Sequence, residues 1–155
     1  MPGLAALLAL LLFASVASAT SLDGVVVRVV DGDTIQVRVA DRVEKVRYIG
    51  VNTPEVHHPG KGEEPGGRQA MNVNRTLVER RAVRLETDVQ SRDRYGRLLA
   101  YVWVGDVMVN AELVRRGYAR TLEIPPNTDF ADRFDRLERR ARAEHRGLWR
   151  ACGDA

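Results

Sequence analysis

The chain has 155 residues, enough for one domain, and its 24 Lys and Arg residues against 21 Asp and Glu give a formal net charge of +3. Cys152 is the single cysteine, which excludes a disulfide framework within the chain, and no His/Cys cluster has the spacing of a zinc site. All basic residues except Lys45 and Lys61 are Arg, whose planar fork binds phosphate oxygens in pairs, so the composition is compatible with a polyanionic partner.

The N-terminal residues have the pattern of a targeting segment. Residues 4–17 are uncharged and rich in Leu and Ala, and Ala17-Ser18-Ala19 is a small-x-small pattern of the kind that signal peptidase cleaves after. The apolar run is too short for a comfortable membrane span. We therefore predict a signal peptide over residues 1–19 and a secreted mature domain, extracellular or periplasmic, over 20–155. Because no Lys or Arg precedes the run, an uncleaved membrane tether is the alternative.

Apolar alternation predicts a strand hairpin over residues 22–39, with the turn at Asp31-Gly32-Asp33-Thr34. One face of each strand is β-branched: Val25, Val27 and Val29 in the first, and Ile35, Val37 and Val39 in the second. A third strand is predicted over 45–51, ended by Thr53-Pro54-Glu55 because Pro cannot continue a ladder. Residues 56–67 have no periodicity and read as a loop.

The rest of the chain alternates between helical and extended patterns. We predict helices over 68–81, 111–116 and about 130–146, and strands over 83–87 and 98–104, the latter turning into 107–109. Asn110 is the expected N-cap of the second helix and Gly117 its C-terminal stop. This order predicts an α+β protein: a five-stranded OB-type β-barrel with three α-helices.

Three segments carry candidate chemistry. The Asp-Gly-Asp-Thr turn offers closely spaced carboxylates of the kind that hard cations bind, although Asp-Gly is also a common hairpin turn. Arg47 lies in an apolar strand and needs a partner, which would be Glu55 or Asp33, or else a ligand phosphate. Glu55 could orient or deprotonate a water. Asp93-Arg94-Tyr95-Gly96-Arg97 could hold a phosphate and contact a nucleotide, or be a polar turn.

Together these segments resemble the staphylococcal-nuclease-like (thermonuclease) family, over nearly the whole mature chain. The resemblance extends to Leu99-Ala100-Tyr101, to residues 109–117 and to Gly147-Leu148-Trp149. It implies a Ca²⁺-dependent nuclease. Asp33 matches the family's calcium-ligating aspartate, Thr53 a residue that offers its carbonyl to calcium, and Glu55 the proposed general base or water-orienting group. Arg47 and Arg97 match the two phosphate-binding arginines. Arg94 and Tyr95 match residues that contact the terminal phosphate of a bound nucleotide.

Two departures from the family pattern bear on function. The second calcium-ligating aspartate falls at Asn52, whose amide oxygen can ligate a metal but brings no negative charge, so calcium affinity should drop. The base-stacking tyrosines have no counterpart, because residues 121–126 contain no aromatic side chain. No catalytic role is assigned to His57 or His58.

Three functions are compatible with these features. The first is a secreted, monomeric, calcium-dependent nuclease that cuts DNA and RNA with little sequence preference. The second is a non-catalytic OB-type module that binds nucleic acid or another polyanion, which Asn52 and the missing tyrosines favour. The third is a secreted structural or protein-binding domain in which the charges are merely paired. Four charged residues in one site, Asp33, Arg47, Glu55 and Arg97, favour the first.

Overall fold

The computed structural model describes residues 20–152. The predicted signal peptide therefore lies outside the described residues. In chain order the elements are β1 (Ser21–Asp31), β2 (Thr34–Val39), β3 (Arg42–Tyr48), β4 (Val51–Asn52), α1 (Gly67–Val78), β5 (Ala82–Glu86), β6 (Leu98–Val104), β7 (Val107–Met108), α2 (Val109–Arg115), β8 (Arg120–Thr121), α3 (Ala131–Ala143) and a 3₁₀ helix (Gly147–Cys152).

Five strands close into a barrel, which confirms the predicted fold class. They follow the order β3-β2-β1-β5-β6 with antiparallel neighbours, and a parallel pairing of β3 with β6 completes the circle. In that pairing Val46, Arg47 and Tyr48 lie opposite Leu98, Leu99 and Ala100. The short strands β4 and β8 pair separately, outside the barrel sheet. Barrel closure therefore sets residues from the first and second halves of the chain side by side.

The core fills the barrel and continues to the helices that pack against it. Ile35, Val37, Val46 and Leu85 are fully buried within it. Aromatic rings cover the α3 side, where Tyr101 meets Phe130 edge to face with ring centroids 4.6 Å apart. Such a core stabilises a domain of this size without disulfides.

The first strand differs from the predicted alternation. Val25 and Val27 are exposed, whereas Val26 and Val29 face the core. The reason is a register shift between Val26 and Arg28 against β2, which is a β-bulge and inverts which residues face inward. The assignment of Val25, Val27 and Val29 to one face was therefore wrong, while Ile35 and Val37 are buried as predicted.

The third strand ends earlier than predicted, at Tyr48. Gly50 has a φ of 76° and a Cβ there would lie 2.5 Å from the Phe134 ring, so the chain turns where only glycine fits. It re-enters extended structure as β4. The α1 and α3 helices likewise end earlier than the predicted 68–81 and 130–146, at Val78 and Ala143.

Asn110 is not the N-cap of α2, which begins at Val109. Its side chain is fully buried instead. The amide oxygen accepts a hydrogen bond from Val102 N–H at 2.9 Å, and the amide nitrogen donates to the carbonyls of Ile49 at 2.9 Å and Ala100 at 3.3 Å. Asn110 thus joins α2 to the barrel, because satisfying buried backbone groups outweighed its capping preference. Gly117, with a φ of 80°, follows the end of the helix as predicted.

Cys152 is the last residue of the 3₁₀ helix. Within residues 20–152, no helix is long and apolar enough to cross a membrane.

Candidate active site

The Asp-Gly-Asp-Thr turn joins β1 to β2 and packs against the segment that follows β4. Asp33 is buried, at 6% exposure. Its Oδ2 accepts the backbone N–H of Thr53 at 2.9 Å, and its Oδ1 accepts the Thr34 hydroxyl at 3.0 Å. A Cβ on Gly32 would lie 2.5 Å from Thr53 Oγ1, so glycine allows this close approach. The structure thereby brings together Asp33 and Thr53, two of the three predicted metal ligands.

Arg47 lies at the centre of the site and contacts both halves of it. Its Nη2 is 3.2 Å from Asp33 Oδ2 and donates to Asn52 Oδ1 at 3.0 Å. Its Nη1 donates to the carbonyls of Tyr48 at 2.7 Å and Val51 at 2.8 Å. These contacts fix the guanidinium in one orientation. Of the two ion-pair partners predicted for Arg47, the structure selects Asp33.

The third predicted ligand, Asn52, is therefore next to the first. Asn52 Oδ1 and Asp33 Oδ2 contact the same nitrogen of Arg47, so the two oxygens lie at most about 6 Å apart. Such a pair of oxygens suits a hard cation, which is bound by several oxygen ligands. No group of three or more His, Cys, Asp or Glu side chains able to hold a metal exists within the described part of the chain. A cation here would depend on amide and carbonyl oxygens beside Asp33.

Two further observations support such a cation. Burial raises the pKa of Asp31, and the neighbouring charges of Asp33 and Glu55 raise it further, although the N–H groups of Gly32 and Val56 oppose the shift. The turn is therefore rich in negative charge that a cation would neutralise. In addition, Thr53 Oγ1 is buried without a hydrogen-bond partner among residues 20–152. The residues present thus fit a hard, oxygen-seeking cation.

Arg97 lies on the same face of the barrel as Arg47. Arg47 is opposite Leu99 in the β3–β6 pairing, Arg97 precedes Leu99 by two residues, and both arginines line the same cavity. Asp93 holds Arg97 through an Nε–Oδ2 contact of 2.7 Å and accepts its backbone N–H at 3.0 Å. Burial raises the pKa of Asp93, but the hydrogen bonds and positive charge of Arg97 have a larger opposite effect. The net result is a pKa below the usual value for Asp. The terminal nitrogens of Arg97 make no hydrogen bond within the described residues.

Arg94 and Tyr95 form the outer edge of the site. Arg94 Nη2 donates to the Tyr95 hydroxyl at 2.6 Å, and its guanidinium carbon lies 4.8 Å from the centre of the Tyr95 ring. Tyr95 is 68% exposed. Both residues line a cavity of about 300 Å³, which we call the Tyr95 cavity. Its wall also contains Arg47, Arg97, Leu122 and Ile124.

Glu55 is exposed and lies near the acidic turn, close enough for its charge to act on Asp31. Its backbone N–H donates to Glu64 Oε2 at 2.9 Å and its carbonyl accepts the Glu64 N–H at 2.8 Å, which fixes the loop. The Glu55 carboxylate has no hydrogen bond or ion pair within residues 20–152. Its oxygens are therefore available to a ligand or a water. His58, which received no catalytic role, bonds to the Pro59 carbonyl in the same loop.

Sequence reasoning missed the residues that support the site from behind. Asn74 of α1 is fully buried, donates to the Asp31 carbonyl at 2.9 Å and accepts the Tyr48 hydroxyl at 2.8 Å. It ties the acidic turn to the strand that carries Arg47. The only signal in the sequence was a polar residue inside the apolar stripe of α1. Asp93 lies within a predicted candidate segment, but nothing in the sequence indicates that it holds Arg97.

The fold and site define a class: an OB-type barrel that carries two neighbouring arginines, an oxygen-rich acidic turn and an exposed glutamate, groups of the kind that promote phosphodiester hydrolysis. A model of the family described as "Staphylococcal nuclease homologue" matches residues 45–151. The chain therefore belongs to the staphylococcal nuclease family, as the sequence resemblance indicated, and it is a nuclease.

Individual relatives agree with this assignment. A thermonuclease of Staphylococcus intermedius is 39% identical over 122 residues, which cover 79% of this chain and 73% of that protein. Endonuclease YncB of Bacillus subtilis is 38% identical over 128 residues, covering 81% of this chain and 61% of YncB. The SPbeta prophage-derived endonuclease YokF of the same organism is 40% identical over 128 residues, covering 81% and 43% respectively.

Proposed function

We propose that this nuclease is secreted, acts as a monomer, depends on calcium and hydrolyses both DNA and RNA with little sequence preference. The observation that carries the proposal is the Asp33–Arg47–Asn52 cluster, with the two oxygens and the guanidinium in one place. Secretion is supported by the residue pattern of 1–19, and a nucleic-acid substrate by the family and the excess of arginines.

The residues divide the work of hydrolysis between them. Arg47 and Arg97 donate hydrogen bonds to the phosphate oxygens, which gain negative charge as a water attacks the phosphorus. Glu55 orients that water and accepts its proton as the bond to phosphorus forms and the bond to the leaving oxygen breaks. Calcium held by Asp33, Asn52 and Thr53 would supply Lewis-acid stabilisation of the same phosphate. Arg94 and Tyr95 bind a neighbouring phosphate or sugar of the substrate.

Low sequence preference is supported by the amides that line the Tyr95 cavity. Asn127 exchanges two hydrogen bonds with the backbone of Gln90, at 2.8 and 2.7 Å, and the Gln90 amide donates to the Arg92 carbonyl at 2.7 Å. These amides are engaged within the protein rather than free to read base edges. The same wall also contains aliphatic Leu122 and Ile124, which can pack against any base.

A nuclease assay on the purified protein tests this proposal. We expect single-stranded DNA and RNA to be cleaved in millimolar Ca²⁺ and cleavage to stop when a chelator removes it. Glu55→Gln and Arg97→Gln should each lower kcat by about 10²–10³, the cost of removing one preorganised group. Glu79→Gln, a change of the same kind on the exposed end of α1, should have no effect.

The second candidate, a non-catalytic nucleic-acid-binding module, is favoured by Asn52, which lowers the charge of the cation site. It predicts salt-dependent binding without cleavage at any calcium concentration. Cleavage that persists unchanged in chelator or in Glu55→Gln would contradict the proposed mechanism.

A further inference from the structure

A second cavity opens beside the candidate cation site and shares no lining residue with the Tyr95 cavity. We call it the Arg120 groove; its volume is about 630 Å³. Asn52, Thr53 and Pro54 form one wall, and Arg120, Leu148 and Arg150 lie in its lining as well. The lining also contains Glu64, whose Oε2 accepts the N–H of Glu55.

The candidate cation site adjoins both cavities. Residues 47–51 line the Tyr95 cavity, and the next residues along the chain, Asn52 and Thr53, line the Arg120 groove. Asn52 contacts Arg47 across this boundary. A phosphate bound between Arg47 and a cation at Asn52 would therefore adjoin both cavities.

Arg120 is held in place by two independent contacts. Arg120 is opposite Asn52 in the pairing of β4 with β8. The next residue, Thr121, donates its backbone N–H to Glu138 Oε2 at 2.6 Å, which ties β8 to α3. The guanidinium carbon of Arg120 lies 5.0 Å from the centre of the buried Trp149 ring, so the side chain is oriented before any ligand binds. Within residues 20–152, neither Arg120 nor Arg150 forms an ion pair with a carboxylate. Among these described residues, no carboxylate competes with a phosphate for their N–H groups.

We infer that the Arg120 groove binds the part of the polynucleotide that continues beyond the scissile phosphate, away from the Tyr95 cavity, with Arg120 and Arg150 contacting its phosphates. The inference rests on the proposed function. A strand that is cut internally extends from the scissile phosphate in both directions, and the Tyr95 cavity accommodates only one of them. Guanidiniums contact phosphate without reading the bases, which agrees with low sequence preference.

Hydrolysis of two substrates of different length tests the inference. Dithymidine monophosphate has only the phosphodiester that is cleaved, so it has no phosphate to place in the groove. A thymidine dodecamer has further phosphates that can reach the groove. We expect the double variant Arg120→Gln/Arg150→Gln to lower kcat/KM for the dodecamer at least tenfold and to leave kcat/KM for the dinucleotide within twofold. Arg133→Gln/Arg136→Gln, which removes two exposed arginines of α3, is the matched control and should change neither value.

Binding of the labelled dodecamer by fluorescence anisotropy, with chelator present to prevent cleavage, gives a second readout. Loss of two phosphate contacts should lower the slope of log K against log salt by about 1.4, at about 0.7 per contact on a single strand. Arg150→Gln alone keeps the Arg120–Trp149 contact, so it should lower the slope by about half as much without affecting the fold.

The possible failures are distinguishable. If the wild-type protein cleaves both substrates and the double variant matches it in rate and salt slope, the groove assignment is wrong and the nuclease proposal stands. If the wild-type protein cleaves neither substrate, the nuclease proposal fails. In that case, a double variant with the same salt slope as the wild-type protein would show that the groove does not bind phosphates either.

Discussion

Replacing Asn52 by Asp should strengthen calcium binding, because it adds a charge at the position where the cation site lacks one. Asn52 Oδ1 already lies at the site, sharing one Arg47 nitrogen with Asp33 Oδ2. Asp has nearly the shape of Asn, so the substitution changes the charge and little of the geometry.

The size of the effect follows from Coulomb's law. Two unit charges about 4 Å apart interact by about 1 kcal/mol in bulk water, and therefore by about 2 kcal/mol when one of them is divalent. Asn52 is exposed, so this high-dielectric value is appropriate as a lower limit. A gain of about 2 kcal/mol corresponds to a Kd for Ca²⁺ about 30-fold lower.

Isothermal titration of Ca²⁺ into wild-type and Asn52→Asp protein measures this difference directly. Asn72→Asp, the same chemical change on the exposed face of α1, is the control and should leave Kd unchanged. An unaltered Kd in Asn52→Asp would refute the placement of the cation between Asp33 and Asn52. An equal gain in both variants would show that only the net charge matters.

Two stability predictions come from groups outside the reaction. Hydrogen bonds from two neighbouring arginines, opposed by burial, lower the pKa of Glu112 from 4.5 to about 2, so its contribution is present above pH 4.5 and lost as pH falls through 2. Urea unfolding at pH 6 and pH 2.5 measures the free energy of unfolding. Between these pH values the wild-type protein should lose about 1–2 kcal/mol more than Glu112→Gln, a figure reduced for solvent screening. Equal losses in the two proteins would contradict the lowered pKa. Asn110→Ala should cost about 3 kcal/mol in the free energy of unfolding at pH 7, because it leaves buried groups of two backbone segments unpaired, whereas Asn72→Ala should cost less than about 0.5 kcal/mol.

The parts of the site that the sequence predicted are those placed by the order of the strands. Asp33 ends a hairpin turn and Arg47 lies in the strand paired with it, so their proximity follows from the pairing of β2 with β3, where Thr34 is opposite Arg47. Arg97 joins them because barrel closure is a property of the fold class. Local spacing and topology account for the proximity of these residues, whereas the roles assigned to them in the sequence came from the family resemblance.

Other features depend on packing that no local pattern contains. The bulge in β1 inverts the predicted inward face, because bulges arise from the fit of a twisted barrel rather than from alternation. Asn110 is of a residue type that favours helix N-caps, but its side chain accepts a hydrogen bond from a buried backbone N–H of β6 instead. Arg120 became relevant only through pairing of two-residue strands, which are too short to be recognised in a sequence.

Barrel closure also sets when activity can first exist during synthesis. Arg47 and Arg97 come together only through the β3–β6 pairing, so the earlier half of the chain contains no complete site. A chain still emerging from the ribosome cannot form that pairing until β6 has left the exit tunnel. The barrel topology itself therefore delays assembly of the complete site until most of the chain has been made.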